Sequence, residues 1–198
     1  MTPRTPAPVA ANWCPILASR ITQEDQAAST ITVATEPSFV ALGPFCVACG
    51  MNNRVWFYSL GQPGGAADGP AAGGLINERE YFGTVKQVAL SEAYAAVLVQ
   101  GKIMLHPYDP TGAASGGKPV AAGREEKRFP EKADEKDVTA MAITPDFLIY
   151  GTSRGSLHYF YLKQWTDVNE FRHDCGIRQL FPNLLATRLV FIDDSRAA

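Results

Sequence analysis

The sequence lacks the features by which membrane proteins, nucleic-acid-binding proteins and helical proteins are usually recognised. Its formal net charge is −2, which provides no broad basic surface for a phosphate backbone. No apolar run approaches the ~18 residues that a membrane-spanning helix requires. Hydrophobic residues at helical spacing are scarce. We therefore expect no nucleic-acid partner, no direct membrane insertion and few helices.

The N-terminal end lacks the apolar core of a secretory signal and is rich in proline and alanine. We expect residues 1–28 to be disordered or irregular and residues 29–198 to form the folded part. Hydrophobic residues make up 46% of the chain and charged residues 19%, which is typical of a globular protein.

Cysteine is scarce, and its spacing gives weak support for a metal site. Among Cys14, Cys46, Cys49 and Cys175, only Cys46 and Cys49 form a C-x-x-C pair. That spacing can bind zinc or form a redox disulfide, but here it lies in an apolar run that resembles a strand. Residues i and i+3 of a strand point to opposite faces, so two buried free thiols are the better interpretation. We expect no metal, no cofactor and a reducing intracellular compartment.

A glycine-rich stretch matches most of a phosphate-binding loop. Gly112, Gly117 and Lys118 have the spacing G-x-x-x-x-G-K, but Pro119 replaces the Ser or Thr that would bind magnesium. We interpret the stretch as a flexible insert. A nucleotide-binding function that uses Gly112–Lys118 stays open as an alternative.

Three stretches share one plan and indicate a repeat. Each has a six-residue apolar strand, a short polar turn and an aromatic-rich strand. They span Phe45–Leu60, Tyr94–Tyr108 and Phe147–Leu162, and a fourth copy begins at Arg188–Ser195. Their turns contain asparagine or glycine, which tolerate the positive φ of a tight hairpin.

The spacing of these stretches predicts a β-propeller. The repeats start 49, 53 and 42 residues apart, and subtracting 13-residue glycine-rich inserts from the first two intervals leaves 36 and 40. A period near 40 residues with four strands is typical of WD-type blades. We expect an all-β fold with about three and a half WD40-type blades of four-stranded antiparallel sheets. The blades are predicted at residues 38–82, 85–130, 138–173 and, in part, 177–194, within an incomplete propeller.

Each blade should also have an inner and an outer strand beside the hairpin. Inner strands are predicted at Ser38–Leu42, Val85–Leu90, Val138–Ile143 and Ile177–Phe181. Outer strands are predicted at Arg79–Phe82, Lys127–Phe129 and Val168–His173, with Ile31–Thr35 from an earlier blade. Apolar residues on both faces of the hairpin strands predict that neighbouring blades cover both faces.

Only a few polar residues are candidates for a functional role. His106, His158 and His173 have no acid–base partner at a suggestive spacing, so we expect no enzyme activity. His106 or His173 could instead tie a blade together through a buried hydrogen-bond network, although the usual GH and WD signatures are absent. Asn52, Asn53, Arg54 and Arg154 lie in predicted hairpin turns and are candidate partner contacts, although turn chemistry alone explains the asparagines.

Several long strings resemble one family. They are "PSFVALGPFCVACGMNNRVWFY", "YFGTVKQVALSEAYAAVLVQGKIMLH", "VTAMAITPDFLIYGTSRGSLHYFYLKQWTDVNEFRH" and "IRQLFPNLLATRLVFIDD". They resemble the WD repeat-containing protein 19 family, the large WD-repeat subunits of intraflagellar transport complex A, and in particular a fragment of the later propeller. The N-terminal segment and both glycine-rich inserts fall outside the resemblance.

The resemblance implies a non-enzymatic scaffold. Its members serve retrograde transport, membrane-protein trafficking and cilium assembly. The implied partners are other subunits of the complex and ciliary cargo, and the implied locations are cilium, basal body and cytoplasm. A propeller of a vesicle-coat scaffold shares the blade chemistry and is a further alternative.

Overall fold

The computed structural model describes residues 14–19, 28–33, 36–60, 73–109, 126–131 and 137–195. These residues form sixteen strands. In this part of the chain, no helix has the length and apolar character that a membrane crossing requires.

Twelve strands form three antiparallel sheets, each a meander in which neighbours in sequence pair in space. Blade 1 contains β3 (Phe39–Leu42), β4 (Cys46–Met51), β5 (Arg54–Ser59) and β6 (Leu75–Glu80). Blade 2 contains β7 (Val85–Leu90), β8 (Tyr94–Val99), β9 (Lys102–Pro107) and β10 (Lys127–Phe129). Blade 3 contains β11 (Val138–Ile143), β12 (Phe147–Thr152), β13 (Ser156–Tyr161) and β14 (Thr166–Arg172).

Two shorter sheets flank the three blades. The N-terminal pair joins β1 (Cys14–Ser19) to β2 (Ala28–Val33). The C-terminal pair joins β15 (Ile177–Pro182) to β16 (Leu189–Asp193). The described chain therefore forms three full blades between two half-sheets.

The first strands of successive sheets lie side by side. β3 contacts β7, β7 contacts β11, and β11 contacts β15. The amide of Gln87 on β7 donates to the carbonyl of Met141 on β11 at 3.0 Å, and the hydroxyl of Thr139 on β11 donates to the carbonyl of Ile177 on β15. This succession of inner strands is the arrangement of blades around a propeller axis, and the described arc is unclosed.

Apolar side chains pack into four clusters, one at each junction between neighbouring sheets. On β8, Ala95 and Val97 belong to the cluster shared by blades 1 and 2. Their neighbours Ala96 and Leu98 belong to the cluster shared by blades 2 and 3. Alternate residues of a strand point to opposite faces, so one strand stabilises two junctions. The prediction that hairpin strands are covered on both faces is confirmed.

Most strands lie where the sequence predicts them, and the outer strands differ most. β7, β10 and β11 have the predicted bounds, whereas β6 covers Leu75–Glu80 instead of Arg79–Phe82. The register of β6 is set by its pairing with β5, in which Arg54 faces Glu80. The charged residues of this outer strand show no apolar alternation, so the sequence alone does not reveal where the strand begins. β1 lies within residues 1–28, for which the sequence predicts irregular structure, and the six residues Cys14–Ser19 correct that expectation.

Candidate interaction rim and blade junctions

The turns between the second and third strands of the blades share one edge, which we name the rim. The rim contains Asn52-Asn53 of blade 1, Gln100-Gly101 of blade 2 and residues 153–155 of blade 3. Left-handed φ values close these turns: 55° at Asn52, 49° at Gln100, 74° at Gly101 and 84° at Gly155.

Backbone hydrogen bonds attach the rim turns of blades 1 and 2 to the chain that enters the next blade. The N–H of Val85 donates to the carbonyl of Asn52 at 2.7 Å, and the N–H of Val138 donates to the carbonyl of Gly101 at 2.8 Å. A bond from the first residue of the next inner strand to a turn carbonyl therefore occurs at both junctions. It holds the backbone of these two rim turns against the neighbouring blade.

Three candidate contact residues lie together on the blade 1 turn. Asn52 is exposed, whereas Asn53 is half-buried and donates to the Glu80 carboxylate at 2.9 Å and to the Tyr81 carbonyl at 3.3 Å. Arg54 is exposed and forms ion pairs with Glu78 at 3.3 Å and Glu80 at 3.6 Å. Asn53 thus has a structural task, and Asn52 and Arg54 are accessible to a partner.

Arg154 lies on the same rim, two blades away. It is exposed in the turn between β12 and β13, directly before Gly155. The structure therefore places all four residues on one edge of the arc. Their contact with a partner stays a prediction.

The junction of blades 1 and 2 contains a buried polar pair. The phenolic oxygen of Tyr81, which follows β6, lies 2.7 Å from Nε2 of His106 on β9. His106 Nδ1 lies 2.9 Å from the Pro107 carbonyl, and a carbonyl only accepts, so Nδ1 carries the hydrogen and Nε2 accepts from Tyr81. Burial lowers the pKa of His106 to about 4 and raises the pKa of Tyr81. Both groups are therefore neutral near pH 7.

The C-terminal junction contains a second polar fastening. His173 follows β14, and its Nε2 lies 2.5 Å from Oδ2 of Asp193 on β16. The other carboxylate oxygen, Oδ1, accepts from the N–H of Ser195 at 2.9 Å and from the Ser195 hydroxyl. Hydrogen bonds from Ser195 and His173 lower the pKa of Asp193 to about 2. The sequence suggests that His106 or His173 ties a single blade together, whereas in the structure both bond across a junction between neighbouring sheets.

The sequence did not indicate the partners of these histidines. Twenty residues separate His173 from Asp193, and 25 separate His106 from Tyr81. A blade-by-blade alignment could have found one signal, because Tyr81 and His173 each lie four residues before the inner strand of the next sheet.

Aromatic packing dominates the junction of blades 2 and 3. The rings of Phe129 and Phe160 lie 4.8 Å apart, and Lys127 Nζ lies 4.5 Å from the Phe160 ring centre. His158 stacks on Tyr150 at 4.6 Å, and its buried Nε2 has no hydrogen-bond partner among the residues that the structure describes.

Cys46 and Cys49 lie on β4 and face opposite junctions. Cys46 packs between blades 1 and 2, whereas Cys49 packs against the N-terminal pair. Both cysteines are buried and neither is in a disulfide within the described part of the chain, as the sequence predicts, and burial raises the pKa of Cys46 to about 12. The phosphate-loop alternative at Gly112–Lys118 lies outside the described residues.

Comparison with known proteins agrees with this geometry. A family profile described as "WDR19 second beta-propeller" matches residues 17–198. WD repeat-containing protein 19 of Mus musculus is 41% identical over 165 residues, which are 83% of this chain and 11% of the mouse protein. WD repeat-containing protein dyf-2 of Caenorhabditis elegans is 30% identical over 174 residues, 81% of this chain and 12% of that protein.

A solved structure supports the fold alone. The β-propeller domain of Myceliophteria_thermophila Cps50 (Swd1) superimposes with a TM-score of 0.56 at 15% identity, over 84% of this chain and 56% of that domain. The chain spans about a tenth of the length of the curated relatives it matches. The chain belongs to the WD repeat-containing protein 19 family and corresponds to its second β-propeller.

Proposed function

We propose that this chain is part of a non-enzymatic scaffold subunit of intraflagellar transport complex A. In this role it contributes to retrograde ciliary transport, to the trafficking of ciliary membrane proteins and to cilium assembly. The observation that carries the proposal is the family match over residues 17–198. Family membership also argues against the alternative of a vesicle-coat propeller.

The geometry supports a scaffold role in two respects. The described polar groups His106 and His173 bind residues of neighbouring sheets, so their chemistry serves cohesion between blades. The rim presents Asn52, Arg54 and Arg154 on turns held by backbone hydrogen bonds. Rigid loops on a repeat scaffold are common sites of protein recognition.

The proposed partners are the other subunits of the complex and ciliary cargo proteins. The proposed locations are the axoneme and basal body of the cilium and the cytoplasm. Asn52, Asn53, Arg54 and Arg154 are the residues that we propose for partner contact through the rim.

A segment exchange tests the proposal. In mouse cells that lack WD repeat-containing protein 19, a chimaera carries this chain in place of the matching mouse segment. We expect the chimaera to restore retrograde transport and to co-precipitate the other subunits of the complex. The matched control carries the equivalent segment of the Cps50 propeller, which shares only the fold. Equal behaviour of the two chimaeras, or failure of the first to enter the complex, would contradict the proposal.

A further inference from the structure

Three metal-binding side chains of different types meet at the C-terminal junction. They are His173 and Cys175, from the connection between β14 and β15, and Asp193 at the end of β16. One imidazole nitrogen, one sulfur and one carboxylate oxygen all lie within 4.8 Å of one another. Two sheets contribute, so a bound ion would join blade 3 to the C-terminal pair.

Blade fastening explains two of the three groups. The hydrogen bond between His173 and Asp193 forms without a metal, but it gives no role to the half-buried free thiol of Cys175. The corresponding positions at the junction of blades 1 and 2, four and two residues before the inner strand, are Tyr81 and Gly83. A tyrosine and a glycine thus occupy the positions of His173 and Cys175 at that junction, so the two junctions differ in their donor sets.

We propose that His173, Cys175 and Asp193 form a zinc site that cross-links blade 3 to the C-terminal pair. Zinc favours nitrogen and sulfur ligands in tetrahedral sites, accepts carboxylate oxygen, and has bond lengths of about 2.0–2.3 Å. Ligand atoms in such a site are about 3.3–3.8 Å apart. To reach that spacing, the 2.5 Å distance between Nε2 of His173 and Oδ2 of Asp193 must lengthen, and distances of up to 4.8 Å must shorten, each by about 1 Å; water would complete the fourth position.

The surroundings suit a zinc ion. Ser195 donates twice to Oδ1 of Asp193, which fixes the carboxylate. Oδ2 accepts a hydrogen bond from Nε2 of His173 in the metal-free chain, and both atoms would exchange that bond for the metal. The Phe191 ring meets the imidazole of His173 edge-on at 5.0 Å and restrains its orientation. The side chains of His173 and Asp193 are 37% and 20% exposed, which leaves a route for a hydrated ion.

The protons balance in a simple exchange. The Cys175 thiol releases its proton to solvent and binds as thiolate. The hydrogen of His173 moves from Nε2 to Nδ1, so that Nε2 offers its lone pair. One thiolate and one carboxylate neutralise the two positive charges of the ion. The affinity of the site for zinc decreases as the pH is lowered, because protons compete for the same donor atoms.

Cobalt(II) titration of the full chain tests the site. We expect one equivalent to bind, with a thiolate-to-cobalt charge-transfer band in the near ultraviolet and the visible bands of a tetrahedral ion, and zinc should displace it. Cys175→Ala should abolish the charge-transfer band and weaken binding at least tenfold. The matched pair is Asp193→Asn, which should weaken binding, and Asp194→Asn, an exposed neighbour outside the trio, which should change it less than twofold.

Unfolding measurements distinguish loss of the site from loss of the fold. Without metal, Cys175→Ala should keep the circular dichroism and melting temperature of the parent chain, because the thiol is half-buried and makes no fastening bond. Zinc should raise the melting temperature of the parent chain but not of Cys175→Ala. A parent chain that does not bind cobalt, or a charge-transfer band that persists in Cys175→Ala, would overturn the proposal.

Discussion

The phenolic oxygen of Tyr81 lies 2.7 Å from Nε2 of His106, and the two residues belong to different blades. Tyr81 is 2% exposed and His106 is fully buried, so the bond crosses an apolar junction. Phe57 meets His106 edge-on at 6.0 Å and stacks on Tyr108 at 6.2 Å. This polar pair is thus enclosed by the rings that hold blades 1 and 2 together.

This pair predicts a pH-dependent stability. Burial lowers the folded pKa of His106 to about 4, while the ordinary value is 6.5. Between these values the unfolded chain binds a proton that folded His106 does not bind, so the free energy of unfolding falls as pH decreases. We expect a loss of about 1.4 kcal/mol per pH unit over this window. Urea unfolding from pH 7 to 4.5 measures it, and His106→Gln should remove this part of the slope; an unchanged slope would refute the assignment.

The Tyr81 hydroxyl should contribute measurably at neutral pH. Tyr81→Phe keeps the ring but leaves Nε2 of His106 buried without a donor, which should cost about 1–3 kcal/mol. The control is Tyr161→Phe, whose hydroxyl has no hydrogen-bond partner among the described residues, and we expect a change within ~0.5 kcal/mol. Denaturant unfolding compares the two, and equal effects would mean that the junction does not depend on this bond.

Gly155 should be intolerant of any side chain. Its φ is 84°, a left-handed conformation, and a Cβ there would lie 2.1 Å from the carbonyl oxygen of His173. Left-handed strain alone is roughly 1–2 kcal/mol, so we expect Gly155→Ala to cost more than ~2 kcal/mol. Ser153→Ala, in the same exposed turn, should stay within ~0.5 kcal/mol. A well-folded Gly155→Ala chain of parental stability would contradict the geometry of the rim.

The sequence predicts the strands that bury side chains and misses what depends on distant partners. β8 is buried along its length and β12 along most of it, and local apolar runs locate both. β14 is exposed throughout, and β6 has exposed and half-buried residues in equal number. Pairing sets their bounds, so the predicted strand starts four residues late for β6 and two residues late for β14. The same distinction applies to the candidate site. Asn52 and Gly155 are recognisable in the sequence as turn residues, whereas the contact of His173 with Asp193 forms only when two sheets meet and cannot be predicted from either residue alone.

Two rim arginines should affect binding more than stability. Arg54 and Arg154 are exposed, and surface ion pairs such as those of Arg54 contribute about 0–1 kcal/mol. In the chimaera that carries this chain, we expect Arg54→Ala and Arg154→Ala to reduce co-precipitation of the partner subunits several-fold. The control is Lys163→Ala, which removes an exposed, ion-paired cation from the opposite edge of blade 3. If all three changes had the same effect, the rim would have no special role.

The unclosed arc should make the isolated chain self-associate. The C-terminal pair packs one face against blade 3, and its other face leaves Phe181, Val190 and Ile192 exposed by 53%, 66% and 49%. Association buries this apolar surface, and each Å² removed from water contributes a favourable free energy of about 25 cal/mol.

Sedimentation velocity tests that expectation with a matched pair of substitutions. Val190→Glu places a charge on the open face and should shift the chain towards monomer. Val168→Glu makes the same change at a valine that is 50% exposed on β14 and should leave association unaltered. A parent chain that sediments as one monomeric species and melts cooperatively would show that the open face is not adhesive.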